Sequence, residues 1–288
     1  MLLLLVLQGV LTFSLFQPDT PDNNAERSTT LLDVAVTSVN EIRISDGLEN
    51  EVVLRREGEA WLLPELNDMP AEGERVAALL AALDSSGLWP VADSPAARQR
   101  FQVADYRFQR RLELFAGEAL QATVYLGTSP GFRKVHARNA QQGAIYSIPL
   151  SNFAAPVTSG AWLDGGLLRV RSPLRIVSDG YSLNYADGQW LAGTGATPDA
   201  RELQALLDAL RNLQINGVAG EDEQRELSAA EADWVISVTG LTGSATLSLF
   251  ERGGKHYIHS SVFPHIFTLS AYDYARLTDI DLSLISGG

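Results

Sequence analysis

A motif that occurs twice along the chain constrains its fold more than any other feature of the sequence. Residues 41–45 and 174–178 are both strand-like, and each run leads into an Asp-Gly pair. A short turn and a tryptophan follow in each copy, Trp61 in the first and Trp190 in the second. Because a repeated pattern indicates a repeated supersecondary unit, the motif predicts two copies of one fold.

The correspondence continues beyond the tryptophans. A proline follows in each copy, Pro70 or Pro198, and precedes a Leu- and Ala-rich run with the spacing of a buried helix face. The helix-like runs and the short polar helical segments after them occupy residues 76–83 and 98–106 in the first copy and residues 203–210 and 224–234 in the second. Strand-like runs separated by Gly-containing turns follow in both copies.

The order of these segments predicts the fold class. Each unit is expected to run β-β-β-α, then a short α, then an antiparallel meander. Grouped strands with few helices are typical of an α+β fold rather than a parallel βαβ fold. We therefore expect an α+β fold with two tandem repeats, at residues 39–156 and 173–284, joined by a connector at residues 157–172 and preceded by an N-terminal apolar anchor helix.

The N-terminal segment, residues 1–16, is apolar and carries no charge. As a helix it would reach about 24 Å, short of a hydrocarbon core of about 30 Å. Residues 17–38 have the composition of a polar linker. We expect an uncleaved, single-pass anchor in the inner (cytoplasmic) membrane, with the body on the periplasmic or extracytoplasmic side. A signal peptide cleaved near Thr12-Phe13-Ser14, a poor cleavage site, and a buried globular helix are the alternatives.

Charge and composition exclude several classes of function. The formal net charge is −13, the opposite of the basic surface that attracts nucleic acid, so we expect no nucleic-acid partner. The sequence contains no cysteine, which removes disulfides, thiolate zinc sites and cysteine nucleophiles.

No sequence motif specifies catalysis. The histidines are His136, His256, His259 and His265, and the spacing of the middle two suits opposite faces of a strand rather than one metal ion. A Gly-x-Ser-x-Gly elbow is lacking, and the glycine-rich run 193–198 has no Lys-Ser/Thr ending of a phosphate loop. We therefore expect no catalytic, cofactor-binding or metal-binding residue, and no cofactor.

Two features stand out as candidate contacts for a partner or ligand. Arg107, Arg110 and Arg111 form a basic cluster in an acidic protein, either as a contact for an acidic partner or as a charged strand edge. Trp162 in the connector is the second. Trp61 and Trp190 could line a carbohydrate groove, but their equivalent places in two repeats favour a core role.

These motifs resemble those of domain-of-unknown-function family 4340. The resemblance lies in the Gly-to-Trp strand, the Pro before a Leu- and Ala-rich helix, a polar helix ending in Asp-Tyr or Asp-Trp, and the Tyr125-Leu126-Gly127 and Trp162-Leu163-Asp164 segments. It covers about residues 42–280. The chain departs from the family after Tyr106, where Arg107-Phe-Gln-Arg replaces a Gly-Leu-x-x-Pro turn.

The resemblance implies a single-span protein that faces outside the cytoplasm and is encoded beside an ABC-type transporter of the gliding-motility kind. We therefore expect a non-enzymatic accessory or scaffold domain. Its expected partners are the membrane subunits of such a transporter, with membrane attachment through the N-terminal helix. A binding module for an envelope polymer or peptide, and a hydrolase whose site is formed only in space, are the alternatives.

Overall fold

Two large antiparallel sheets form the body of the protein, which a computed structural model describes over residues 30–287. The strands arise from alternation of apolar and polar side chains. In the first strand Ile42 and Ile44 are buried and Arg43 between them is exposed. Because successive side chains of a strand point to opposite faces, this pattern turns one face of the sheet to the core.

The first unit contains these elements: β1 (Glu41–Ser45), β2 (Glu51–Glu57), β3 (Ala60–Leu63), β4 (Met69–Pro70), α1 (Gly73–Leu83), β5 (Pro90–Ala92), α2 (Pro95–Arg100), β6 (Val103–Ala104), β7 (Arg107–Phe108), β8 (Arg110–Ala116), β9 (Ala119–Leu126), β10 (Val135–Asn139) and β11 (Ile145–Ile148).

The second unit contains these elements: β12 (Pro173–Ser178), β13 (Tyr181–Ala186), β14 (Gln189–Ala192), α3 (Ala200–Arg211), β15 (Ile215–Val218), α4 (Glu221–Ser228), β16 (Trp234–Gly240), β17 (Gly243–Arg252), β18 (Lys255–Ser260), β19 (Ile266–Leu269), α5 (Ala271–Thr278) and α6 (Leu282–Ile285).

The strand order is the same in the two sheets. The first runs β4-β3-β2-β1-β8-β9-β10-β11-β5 and the second runs β14-β13-β12-β16-β17-β18-β19-β15. Apart from the two-residue strand β4, each strand of one sheet has a counterpart at the same place in the other. In both units the strand between the two helices crosses to the far edge and pairs with the last strand, β5 with β11 and β15 with β19.

Helices α1 and α3 pack onto the sheets through one apolar face each. Helix α1 buries Val76, Leu79, Leu80 and Leu83, the i, i+3, i+4, i+7 spacing of an amphipathic helix. Helix α3 is capped by Asp199, whose Oδ1 accepts hydrogen bonds from the amides of Arg201 and Glu202 and satisfies donors that have no partner within the helix.

One carboxylate of helix α4 bonds to the second sheet. Glu223 accepts hydrogen bonds from Lys255 Nζ at 2.8 Å, from the Tyr257 hydroxyl at 2.7 Å and from the Gly220 amide at 3.1 Å. These bonds, led by that from Lys255, lower the pKa of Glu223 from 4.5 to about 2, because they stabilise the charged form. The ionised form of Glu223 is therefore the form that makes these bonds.

A continuous apolar core joins the two units. It extends from Leu31 and Ile42 in the first unit, through Trp162, to Ile176 and Phe267 in the second. Residues 30–38, the end of the expected linker, pack against the first unit rather than standing away from it: Leu31 is fully buried, and its carbonyl accepts a hydrogen bond from Asn139 Nδ2 at 3.1 Å. The two sheets therefore share one apolar core.

The expected α+β class is wrong, because 39% of the structure is strand and 24% is helix. The protein is a mostly β fold in which large antiparallel sheets carry a few helices. The helices were predicted, but the strands pair into sheets of nine and eight strands, which gives strand the larger share. Strands β5 and β15 were not predicted. Pro90 opens β5 and Gly217 lies within β15, and both residue types are rare inside strands.

The anchor prediction also needs correction. The described residues contain no helix long and apolar enough to cross a bilayer, and no apolar anchor helix is part of the fold that they form. The single-pass, signal-anchor expectation is therefore contradicted for the part of the chain that the structure describes. The expected anchor segment, residues 1–16, and residues 17–29 of the expected linker lie outside the described residues.

Candidate functional site

A polar cavity of about 450 Å³ opens where the two units meet, and we call it the inter-unit cleft. The start of α1 contributes residues 72–75, the connector contributes residues 160–161, 163–166, 169 and 171, and the second unit contributes Gln214 and Asn216 beside and within β15. The cleft therefore exists only because the repeat places two units side by side.

The backbone of the connector holds the walls of the cleft in place. On the side of the first unit, the Glu72 amide donates to the Trp162 carbonyl at 2.7 Å, and the Asp164 amide donates to the Pro70 carbonyl at 3.0 Å. On the side of the second unit, the Ile215 amide donates to the Gly165 carbonyl at 2.8 Å. Bonds to both units fix the connector as a third structural part rather than a flexible tether.

Trp162 and Arg75 pack against each other beneath the cleft. The Trp162 ring is fully buried, and its Nε1 donates to the Pro156 carbonyl at 2.9 Å. Arg75 Nη1 donates to the Ala161 carbonyl at 2.5 Å and Nη2 to the Phe153 carbonyl at 3.2 Å, while the guanidinium carbon lies 5.0 Å from the Trp162 ring centroid. This arrangement stabilises the connector and uses one donor from each terminal nitrogen of Arg75.

Two further polar side chains of the cleft also have partners in the protein. Asp164 Oδ1 accepts from the Gly166 amide at 2.8 Å and shapes the turn of the connector. Arg169 lies against the Gln214 amide, whose oxygen accepts from Arg169 Nε at 3.1 Å when the amide is oriented to suit both groups.

Three charged side chains of the cleft have no such partner. Glu72, Glu74 and Arg171 are exposed, and within residues 30–287 none of them makes a side-chain hydrogen bond or an ion pair. The rim therefore presents both signs of charge on a preformed backbone. Such a surface suits a polar partner with complementary charges better than an apolar ligand.

The arginine cluster predicted from sequence lies outside the cleft lining. Arg107 is exposed in the β6–β7 hairpin. Arg110 Nε donates to the Ala155 carbonyl at 2.8 Å, next to the connector, and Arg111 lies 3.7 Å from Glu113. A contact of Arg107, Arg110 and Arg111 with a partner stays a prediction, as does the role of Trp162. The Trp162 ring itself faces the core and not solvent.

The other tryptophans bear on the polymer-binding alternative. Trp61 is buried and belongs to the main core, and Trp190 is half-buried against that core with Tyr185 at 5.5 Å between ring centroids. With Trp61 and Trp162 both enclosed, the exposed aromatic platform that a carbohydrate groove requires is not formed by these three residues.

The histidines are dispersed. His136 is buried with its Nδ1 2.8 Å from the Thr128 carbonyl, and burial lowers its pKa. His256 faces Tyr274 while His259 faces the opposite side of β18, and His265 Nε2 lies 3.2 Å from Asn67 Nδ2. Among the described residues, no group of three or more His, Asp or Glu side chains is arranged to hold a metal ion.

Sequence reasoning missed the residues that form the cleft. Arg75 is one of many charged residues at the start of a helix, and Gln214 and Asn216 stand in a strand that was not predicted. The one sequence feature that could have indicated the cleft is the pair of consecutive glycines, Gly165 and Gly166, in the connector. A Cβ on Gly165 would lie 2.8 Å from the end of the Gln214 side chain, so the connector and Gln214 are in close contact there.

Comparison with known proteins agrees with the resemblance noted in the sequence. The family model described as "Domain of unknown function (DUF4340)" matches residues 61–232, more than half of the chain, from β3 to the end of α4 and the turn after it. No curated protein and no solved structure matches the chain. The matched region includes α1, the connector and β15, which together form the inter-unit cleft, and the protein is a member of the DUF4340 family.

Proposed function

We propose that this protein is a non-catalytic accessory domain that holds a protein partner at the inter-unit cleft, outside the cytoplasm. The observation that carries the proposal is the cleft itself, a preformed polar surface whose backbone is bonded to both units and whose rim keeps Glu72, Glu74 and Arg171 without partners among the described residues. Preorganisation favours binding because little conformational entropy is lost when the partner docks.

The partner that we propose is the membrane part of an ABC-type transporter. This step rests on the resemblance to the family and not on the geometry of the cleft. The geometry supports a scaffold role in a simpler way: two units locked by the connector present a fixed surface, and unpaired rim charges supply electrostatic complementarity that selects one partner and orientation.

The test is co-purification of the full-length tagged chain from detergent-solubilised membranes of its own host, with captured proteins identified by mass spectrometry. We expect recovery of transporter subunits with the unaltered chain. Arg171→Glu reverses a free charge of the cleft and should lower recovery roughly tenfold, the equivalent of about 1.4 kcal/mol of binding free energy.

Arg201→Glu is the matched control. Arg201 is exposed in the first turn of α3, away from the cleft lining, so its reversal should leave recovery unchanged. If the unaltered chain captures no transporter subunit, the proposed partner is wrong. If Arg171→Glu captures as much as Arg201→Glu, the partner stands and the cleft is not its binding surface.

A further inference from the structure

A second cavity, of about 300 Å³, lies in the second unit, and we call it the α4 pocket. It lies between the end of α4 and the face of β17, β18 and β19 that is turned away from the main core. Its lining combines apolar Leu227, Phe250 and Ile266 with polar Ser248 and His259. It shares no lining residue with the inter-unit cleft.

The repeat gives the polar pair of this pocket a counterpart in the first unit. Ser248 pairs with His259 across β17 and β18, and Tyr125 pairs with Arg138 across β9 and β10. The two strand pairs occupy the same place in their sheets. Tyr125 and Ser248 each stand three residues after the alanine of an Ala-Thr pair. Strand order and sequence therefore agree that Ser248 is the counterpart of Tyr125.

In the first unit these side chains fill the corresponding space. Tyr125 is 8% exposed and Arg138 is 4% exposed, with the guanidinium carbon 5.0 Å from the tyrosine ring centroid. Arg138 Nε donates to the Val103 carbonyl at 2.7 Å, and the Phe108 ring of the β6–β7 hairpin lies 5.4 Å from the ring of Tyr125. The tyrosine ring is therefore a built-in occupant of this site.

Three differences from the first unit leave the same space open in the second unit. Ser248 and His259 are smaller than the Tyr125 and Arg138 that they replace. The β6–β7 hairpin has no counterpart there in the described part of the chain, because α4 ends at Ser228 and β16 starts six residues later. The resulting space is the α4 pocket.

The third change keeps helix α4 farther from its sheet than helix α2 is from the first sheet. The counterpart of Phe250 is Gly127, where α2 and the turn after it approach so closely that an added Cβ would overlap the Phe101 carbonyl oxygen. Phe250 is buried under α4 at that position, so α4 cannot pack as closely as α2 does.

The polar groups of the pocket are available for a ligand. Neither the Ser248 hydroxyl nor the ring nitrogens of His259 have a hydrogen-bond partner within residues 30–287. Both side chains are half-buried. A ligand that places an aromatic ring against Leu227, Phe250 and Ile266 and a hydroxyl near His259 would bury apolar surface and satisfy these groups together.

We propose that the α4 pocket binds the tyrosine side chain of a partner polypeptide, which takes the place that Tyr125 occupies in the first unit. The duplicated unit defines the ligand chemistry, because the same fold holds a phenol ring at the equivalent site. The cavity volume is at the lower end of that of ligand pockets and suits one side chain rather than a large cofactor.

The first test uses the unaltered full-length protein with two probes, p-cresol and the peptide acetyl-Gly-Tyr-Gly-amide. Resonances of the His259 ring and the Leu227 methyl groups are followed by NMR. We expect saturable shifts, with a Kd for p-cresol on the order of 1 mM, reasonable for so small a ligand. Acetyl-Gly-Ala-Gly-amide is the control peptide. Absence of shifts with p-cresol would overturn the proposal, and equal binding of the two peptides would overturn the polypeptide partner.

The second test fills the pocket. Ser248→Tyr supplies the residue of the first unit from the protein itself and should weaken p-cresol binding at least tenfold. Ser244→Tyr, the same change at an exposed position of β17, should leave binding unchanged. If Ser248→Tyr does not fold, Ala232→Leu fills the pocket from its other wall. Unaltered binding by a folded pocket-filling variant would show that p-cresol binds elsewhere.

Discussion

Replacement of Trp162 by alanine tests whether the connector is a structural part of the fold. The ring is fully buried between the units, so its removal costs about 3–5 kcal/mol for lost burial and the cavity left behind. The Pro156 carbonyl loses its indole donor, which adds about 1 kcal/mol, and Arg75 loses the ring over which it lies. We expect the free energy of unfolding to fall by about 4–6 kcal/mol, a large share of the stability of a typical domain.

The assay is urea unfolding of the full-length protein followed by far-ultraviolet circular dichroism, with the free energy extrapolated linearly to zero denaturant. Trp89→Ala is the matched control, because Trp89 is 87% exposed and its removal should change stability by no more than about 0.5 kcal/mol. Equal losses for Trp162→Ala and Trp89→Ala would refute the conclusion that the connector is packed into the core. The same outcome would remove the basis for a rigid inter-unit cleft.

Two other predictions concern single contacts. Because the pKa of Glu223 is lowered in the folded protein, its contribution to stability is present above pH 4.5 and is lost as the pH falls towards 2. Glu223→Gln should therefore flatten the pH dependence of the free energy of unfolding in that window. An unchanged slope would contradict the bond from Lys255. Gly127→Ala forces a Cβ against the Phe101 carbonyl and should lower the thermal midpoint by an amount equivalent to about 1–3 kcal/mol. In the control variant Gly160→Ala the added Cβ meets no atom within 4 Å, so the change should cost less than about 1 kcal/mol. Similar midpoints for the two variants would contradict the close approach at Gly127.

Short-range patterns explain why much of the secondary structure could be predicted. The helices α1 and α3 follow from apolar spacing along single segments, and the Asp-Gly pair at residues 179–180 forms the turn between β12 and β13. Such signals depend on side chains a few residues apart, which the order of the sequence displays directly. The family match over residues 61–232 confirms the resemblance carried by these segments.

Two strands of the sheets could not be predicted in this way. Strands β5 and β15 are short, contain residues that disfavour strands, and are stabilised by pairing with β11 and β19 far along the chain. Their existence depends on hydrogen bonds to distant partners and not on local preference. These two strands were missed for that reason, whereas the helical segments were found.

The sequence by itself determined where the apolar faces of single segments lie, how the turns between adjacent strands are made and which family the chain resembles. Only the tertiary structure decided that Trp162 is enclosed, that Arg75 bonds the connector, and that the space filled by Tyr125 in one unit is open beside Ser248 in the other. The physical reason is range: a local pattern fixes which side of a strand or helix is buried, but whether a particular side chain is covered depends on volumes and donors contributed by residues far away in the chain.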